Sequence, residues 1–265
     1  MIIIGEKINA TRKSIAAAIA ARDGAAILQV AQEQVQAGAN YLDVNGGDPR
    51  PGAEVENMRW LIELIQSKLD TPLAIDSASP QVIETGLKLA RSKPIVNSVS
   101  LEQERLEAFL PVLKAHSCMV VGLCMSNEGM PCGVADRVER AGRLIQAITG
   151  AGKQIEEIII DPCFVPVSAQ PEAGKQVCQA IAEIRRQWPK VHIGGGLSNV
   201  SFGLPGRKYV NLAMVSAAVF CGMDAALIDP CTPMMVPLVL ASEVVNGADE
   251  WCANYVQAFR SGLFK

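Results

Sequence analysis

The sequence predicts an α/β chain folded as a (β/α)8 barrel, one domain spanning residues 1–265. Three observations carry that expectation. Short apolar runs alternate with amphipathic stretches eight times. No proline- or serine-rich linker divides the chain. Its 265 residues match the roughly 250 that one such barrel needs.

The elements follow in order. Strands are expected near Ile2–Gly5, Tyr41–Val44, Leu73–Asp76, Ile95–Asn97, Met119–Leu123, Ile158–Asp161, His192–Gly194 and Ala226–Asp229. Helices are expected near Ala25–Gln36, Ala53–Leu69, Pro80–Ala90, Leu101–Ala115, Asp136–Thr149, Gln170–Gln187, Lys208–Cys221 and Pro233–Asn246. Gly38 stands where a C-terminal cap glycine belongs. Ser79-Pro80 offers an N-cap and a first-turn proline. Ser100, with Gln103 three residues on, has a capping-box spacing. Asp249–Phe264 reads as one further helix packed outside.

Composition excludes several function classes. With 49% hydrophobic and 19% charged residues the chain is globular. A net charge of −3 lacks the basic footprint of a nucleic-acid binder. The longest apolar runs, such as Met119–Cys124 and Ile158–Ile160, are strand-sized, which predicts no membrane span. Met1–Glu6 lacks the basic start and long apolar core of a signal peptide, so a cytoplasmic protein is expected. The eight cysteines, at 118, 124, 132, 163, 178, 221, 231 and 252, never form C-x-x-C. They are expected to be buried reduced thiols, with neither a disulfide scaffold nor a metal site.

In this fold, reactive groups come from the C-terminal ends of the strands. Those ends carry Glu6 and Asn9; Asp43 and Asn45; Asp76-Ser77; Asn97-Ser98; Ser126-Asn127; Asp161-Pro162; Gly194-Gly195-Gly196-Leu197-Ser198-Asn199; and Asp229-Pro230. There is no histidine among them and hardly any positive charge. Carboxylates accept hydrogen bonds, and amides donate and accept. Such a ring suits a ligand edge rich in N–H donors, as a pterin offers, whereas a phosphosugar calls for cations or backbone nests. The bland alternatives are that Asp76 and Asp161 cap helices, and that Glu6 and Asp43 support neighbours. Gly194–Gly196 matches neither the Walker nor the dinucleotide spacing and reads as close backbone approach or as simple loop flexibility. His116, His192 and the methionines of 125–130 and 214–223 read as structural.

Six motifs carry a resemblance: Ile4-Gly5-Glu6-Lys7-Ile8-Asn9, Leu42-Asp43-Val44-Asn45, Ile75-Asp76-Ser77, Val96-Asn97-Ser98, Ile160-Asp161-Pro162 and Gly196-Leu197-Ser198-Asn199-Val200-Ser201. In order and at strand spacing, they resemble the pterin-binding methyltransferase family. The likeness is to methyltetrahydrofolate:corrinoid/iron–sulfur protein methyltransferases and the folate domain of cobalamin-dependent methionine synthase. It implies methyl transfer between N5 of methyltetrahydrofolate and the cobalt of a corrinoid (cobalamin) on a partner protein. It implies that Asp76, Asn97 and Asp161 bind the pterin, and that Asn199 contacts N5. Asn199, Asp161 and Asp76 are then the catalytic candidates; Ser198, Arg207, Glu6 and Asp43 complete the folate site. It implies a homodimer, with Leu212–Cys221 and Trp251–Phe264 as candidate contact surfaces, and no metal held by this chain. Phe202 departs from the glutamine that corrinoid/iron–sulfur partners often meet, and Ser201-Phe202-Gly203 looks more like the methionine synthase version.

Two rivals stand beside this reading. A dihydropteroate synthase-like enzyme, which expels pyrophosphate, resembles a pattern with Lys near strand seven and Ser-x-Arg-x-His near strand eight. Strand eight here leads into Asp229-Pro230-Cys231-Thr232-Pro233. A non-catalytic folate-binding protein is the second; a corrinoid carrier would need a D-x-H-x-x-G motif, which is absent.

Overall fold

A computed structural model describes residues 1–264. The strands are β1 (Ile2–Asn9), β2 (Tyr41–Asn45), β3 (Leu73–Asp76), β4 (Ile95–Leu101), β5 (Met119–Ser126), β6 (Ile158–Asp161), β7 (His192–Ile193) and β8 (Ala225–Ile228). The helices are α1 (Lys13–Ala20), α2 (Gly24–Gln36), α3 (Ala53–Gln66), α4 (Pro80–Leu89), α5 (Gln103–Ala115), α6 (Gly133–Gly150), α7 (Ala173–Gln187), α8 (Arg207–Phe220), α9 (Met235–Val245) and α10 (Ala253–Arg260). The strands pair in parallel in chain order, with β1 between β2 and β8.

The seam between β7 and β8 closes the barrel. The N–H of Asp224 donates to Ile193 O (3.0 Å), and that of Leu227 to Gly195 O (3.0 Å). A Cβ on Gly194 would overlap the Ala225 carbonyl, so only glycine permits this approach.

Side chains of a strand alternate between faces, and this splits the apolar residues into two groups. Ile4, Ala74, Ile95, Met119, Val121, Ile159 and Ala225 pack together as a plug inside the barrel. Ile3, Leu42, Ile75, Val96, Val120 and Ile160 pack outward against the helices. Two residues beyond Ala74, Ile95 and Ile159 of the plug stand Asp76, Asn97 and Asp161, and Asp43 stands two beyond Tyr41, which packs against the plug. The alternation therefore builds a polar layer directly above an apolar floor. Strand irregularities coincide with it: the β1–β2 register shifts between Gly5 and Ile8, around Glu6, and the β4–β5 register shifts after Asn97. Such bulges re-aim side chains.

Several expectations need correction. β1 runs on to Asn9, past the Ile2–Gly5 expected for it. α1 was not expected: its N-cap, Arg12, makes no side-chain cap bond, and alanine propensity with burial of Ile15 and Ile19 carries it. Ser100 and Leu101 belong to β4, and the N-cap of α5 is Glu102, so the capping-box reading of Ser100 fails. Ser79 takes the N-cap position of α4 without a side-chain cap bond. Gly38 does sit just past α2 at φ 103°, with Ala39 N–H donating to Gln34 O (3.0 Å). The C-terminal segment is not one helix. Trp251 and Cys252 take left-handed φ of 57° and interrupt it before α10. Of the eight thiols, Cys118, Cys124 and Cys163 are buried, Cys132 is exposed and four are half-buried, all free. Met130, expected in the core, is exposed, while Met214 and Met223 are buried.

Candidate active site

The polar layer is bonded so that its acceptors stay open to the mouth. Asp76 Oδ2 receives the amides of Asn9 (3.1 Å) and Asn45 (3.1 Å), and Oδ1 has no protein donor among the described residues. Asp161 is anchored by backbone alone: Cys163 N–H donates to Oδ1 (2.8 Å) and Gly196 N–H to Oδ2 (3.2 Å). Cys163 achieves this with a left-handed φ of 64°, a costly conformation for a non-glycine residue. Asn97 Nδ2 donates to Asp43 Oδ1 (2.9 Å), and the Asn97 side-chain oxygen has no donor among the described residues. Ser198 Oγ donates to Glu6 Oε2 (3.0 Å), tying the loop after β7 to β1.

Burial sets the protonation of these acids. Bonds to a charged acceptor contribute about 1.5–3 kcal/mol each, yet desolvation outweighs them. The Asp161 carboxyl is pushed up to about 6 by burial, against the two N–H donors and the nearby Arg137 guanidinium. Asp76 is also pushed up to about 6, mainly by burial, with Asn45, Arg105 and Asn9 opposing it. Asp43 is fully buried. Desolvation and then the Asp76 carboxylate hold it well above the usual range, and its Oδ2 has no partner. Asp43 reaches the mouth only through Asn97. Glu6 is raised by burial, partly offset by Ser198 and Arg12.

The cations nearby are already engaged. Arg12 bonds Glu6 (3.0 Å). Lys7 stands 4.0 Å from Asp229. Arg105 donates to Ser98 O (2.9 Å). Arg207 donates to Ser201 Oγ (2.9 Å) and Ser198 O (2.6 Å), and so braces the turn that carries Ser198 and Asn199. Asn199 itself is exposed, and its amide makes no hydrogen bond with the described residues. A cavity of about 20 Å³ opens between the plug and this layer, touched by Asn97, Asp161 and Gly194–Gly196. A Cβ on Gly195 would overlap the Asp161 carboxyl group. A larger cleft, about 820 Å³, lies beside the mouth, lined by Glu102, Glu104 and Glu107 with Arg105 as its one cation, so its charge is net negative.

The structure thus gathers Glu6, Asp43, Asp76, Asn97, Asp161, Ser198 and Asn199 around one opening. Sequence reasoning missed two residues of α6. Arg137 is fully buried and Arg140 nearly so. Their i, i+3 spacing puts both on one helix face. That signal was present, but a charged pair on a helix reads by default as a solvated face.

Comparison with known proteins agrees with this geometry. The family described as pterin binding enzyme matches residues 5–229. The chain is 34% identical to the methylcorrinoid:tetrahydrofolate methyltransferase of Eubacterium limosum, over 99% of this chain and 97% of that protein. It is 30% identical to the methionine synthase of Mycobacterium tuberculosis, over 86% of this chain but only 20% of that much longer one. Among solved structures, Burkholderia cenocepacia dihydropteroate synthase complexed with 7,8-dihydropteroate superposes at a TM-score of 0.67, with 20% identity over 96% of this chain and 92% of that one. At that identity the likeness concerns the barrel and nothing finer.

Proposed function

Because the chain belongs to the pterin-binding enzyme family, we propose that it is a methyltransferase moving a methyl group between N5 of tetrahydrofolate and a corrinoid carried by a partner protein. The observation that carries this is the near full-length likeness to an enzyme of that name. It is supported by a site whose open groups are acceptors held above an apolar floor. The likeness favours methyl transfer from the corrinoid to tetrahydrofolate, and microscopic reversibility lets one site serve both directions.

The donor set fits a reduced pterin. Asp161, anchored by two backbone N–H groups, takes the 2-amino group and N3–H of the ring. Asp76 offers its open oxygen to a further ring N–H, and Asn97 its carbonyl. The floor and Gly194–Gly196 admit a flat ring edge-on. When bound, the corrinoid supplies the centre that gives or takes the methyl as a cation equivalent. The residues of this chain must hold N5 in line with that approach, which can contribute several kcal/mol. They must also manage the proton at N5, because an amine nitrogen leaves poorly unless protonated. The unpaired, exposed amide of Asn199 serves there: it accepts from N5–H⁺ or donates to the N5 lone pair. An amide is too weak an acid to be the proton source, which we assign to water.

The test is spectroscopic. Purified protein mixed with tetrahydrofolate and methylcobalamin, or with methyltetrahydrofolate and cob(I)alamin, should exchange the methyl group, read from the corrinoid absorbance. No acceleration over the uncatalysed mixture, with free corrinoids and with a panel of corrinoid proteins, would refute the proposal.

We also read the chain as a homodimer. Helix α9 is mostly apolar, with Ser242 and Glu243 its polar residues, and Phe220 and Val245 are 65% and 77% exposed. They flank a groove of about 300 Å³ between α8 and α9, so each copy offers a knob and a slot on one face. Sedimentation equilibrium showing a monomer, or a Phe220→Glu variant still dimeric, would contradict this. No helix among the described residues is long and apolar enough to cross a membrane, and we place the enzyme in the cytoplasm, where its thiols remain reduced; fractionation tests that.

A further inference from the structure

Arg137, on α6, is fully buried, yet no carboxylate pairs with it among the described residues. All its bonds go to backbone carbonyls: Nε to Pro162 O (2.9 Å), Nη1 to Gly133 O (2.7 Å) and Nη2 to Cys163 O (3.4 Å). Burying an unpaired charge costs several kcal/mol, so packing alone would be better served by a methionine. Two of the three carbonyls belong to the residues that directly follow Asp161. Cys163, held in its left-handed conformation, returns its N–H to Asp161 Oδ1.

We propose that Arg137 is a positioning residue for Asp161: it clamps the Pro162 and Cys163 carbonyls so that the Cys163 N–H aims at the carboxylate, and it supplies a fixed positive charge nearby. This rests on the reading of Asp161 as the pterin acceptor. The other groups facing Asp161 do not provide that charge. Cys124 on β5 and Cys163 are thiols that burial pushes up and keeps neutral. Gly196 contributes a backbone N–H, and Asn97 on β4 an uncharged amide. Arg140 is committed to Asp136, Gly129 O and Glu128. The Arg137 guanidinium opposes the upward push of burial on Asp161, and so favours the ionised form near neutral pH.

The test titrates the Asp161 carboxyl by carbon-13 NMR in ligand-free protein, its signal assigned by loss in Asp161→Asn. Arg137→Gln keeps donors but removes the charge. Its Asp161 midpoint should rise by about one pH unit, the effect of losing a nearby opposite charge. Arg137→Lys keeps the charge but cannot span the carbonyls. Its midpoint should stay near that of the wild type while tetrahydrofolate affinity falls about tenfold, as expected for a carboxylate misplaced by a fraction of an ångström. An unmoved midpoint in the folded glutamine variant overturns the electrostatic half, and full affinity in the lysine variant overturns the clamp. If the glutamine variant does not fold, the lysine variant still decides. A wild type that binds no tetrahydrofolate defeats the functional reading instead, and the titration still decides for or against Arg137.

Discussion

Substituting Gly195 by alanine isolates the geometry of Asp161 from its chemistry. Gly195 lies at the seam, where its carbonyl accepts from Leu197 (2.8 Å) and Leu227 (3.0 Å). Its backbone is therefore tethered and cannot swing away. A Cβ there would overlap the carbon and both oxygens of the Asp161 carboxyl group. Ordinary contact needs about 3.5 Å, so the carboxylate must retreat by more than about 1 Å. That breaks its aim and its bond from Gly196 N–H. Misplacement on this scale can cost about a hundredfold in a site of this kind, or about 2.7 kcal/mol of binding. Overpacking adds roughly 1–3 kcal/mol of destabilisation, which lowers Tm by about 2–5 °C in a chain of this size. Two glycines serve as controls. Gly174 would place its Cβ in ordinary contact at 3.6 Å, and Gly150 would meet nothing within 4 Å; alanine at either should leave tetrahydrofolate affinity unchanged. Calorimetric titration with tetrahydrofolate, alongside thermal melts, reads both effects. A folded Gly195→Ala protein that binds within about threefold of wild type (less than 1 kcal/mol) would show that Asp161 does not hold the ligand as argued.

Further outcomes follow from the same layer. Tetrahydrofolate affinity should fall as pH drops through about 6, where Asp76 and Asp161 take up protons. Ligand-free stability should move the other way over about pH 4–6: a carboxyl raised in the folded state binds more protons folded than unfolded, so its contribution fades as pH rises. Melts of Asp161→Asn against wild type across that window should show the wild-type slope reduced, and parallel slopes would contradict the assignment. Asp43→Asn should keep affinity within a few-fold, since asparagine has the same shape and its carbonyl oxygen still accepts from Asn97. Asp43→Leu, which leaves the Asn97 amide unpaired, should lose about tenfold or more; equal behaviour of the two variants would refute the role. Asn199→Ala should bind tetrahydrofolate normally but turn over at least about tenfold more slowly if the N5 contact stabilises the transition state by more than about 1.4 kcal/mol. Single-turnover methyl transfer decides, and full turnover would end that role.

How much of this was legible depended on periodicity. Asp76, Asn97 and Asp161 each close an apolar run, and the period-two rule carries them into the barrel whatever the exact strand bounds. Asp43 followed the same rule, but its complete burial did not. That depends on how closely β2 and β4 approach, which no local pattern encodes. Polar Glu6 and Lys7 hid the extension of β1, because a bulge lets a strand continue without the alternation that announces it. α1 lacked a capping side chain, so alanine propensity alone had to announce it, and propensity is a weak signal. Arg137 was invisible for a different reason. Its partners are carbonyls on another strand's loop, and any helix can carry an arginine. Ser100 showed the opposite error, a correct cap spacing that tertiary pairing with β5 overrode.

The barrel is shared with dihydropteroate synthases at 16–21% identity, so the chemistry must be argued from the layer above the floor. A reaction that expels pyrophosphate needs cations free to receive it. Here Lys7 lies against Asp229, Arg12 holds Glu6, and Arg207 is spent on the Ser198–Ser201 turn. Releasing any of them would undo a contact that shapes the mouth. The groups left unspent are of the other kind: an oxygen of Asp76, the Asn97 carbonyl and the amide of Asn199. Two acceptors and an amide are the groups that, on the proposed function, would meet N–H donors and an amine nitrogen. Phe202 and Met130, on the loops that follow β7 and β5, are exposed. Methyl transfer asks this chain only to hold a ring, govern one proton and leave one side open. The unspent groups match that demand, while Lys7, Arg12 and Arg207 are drawn into contacts with the chain itself.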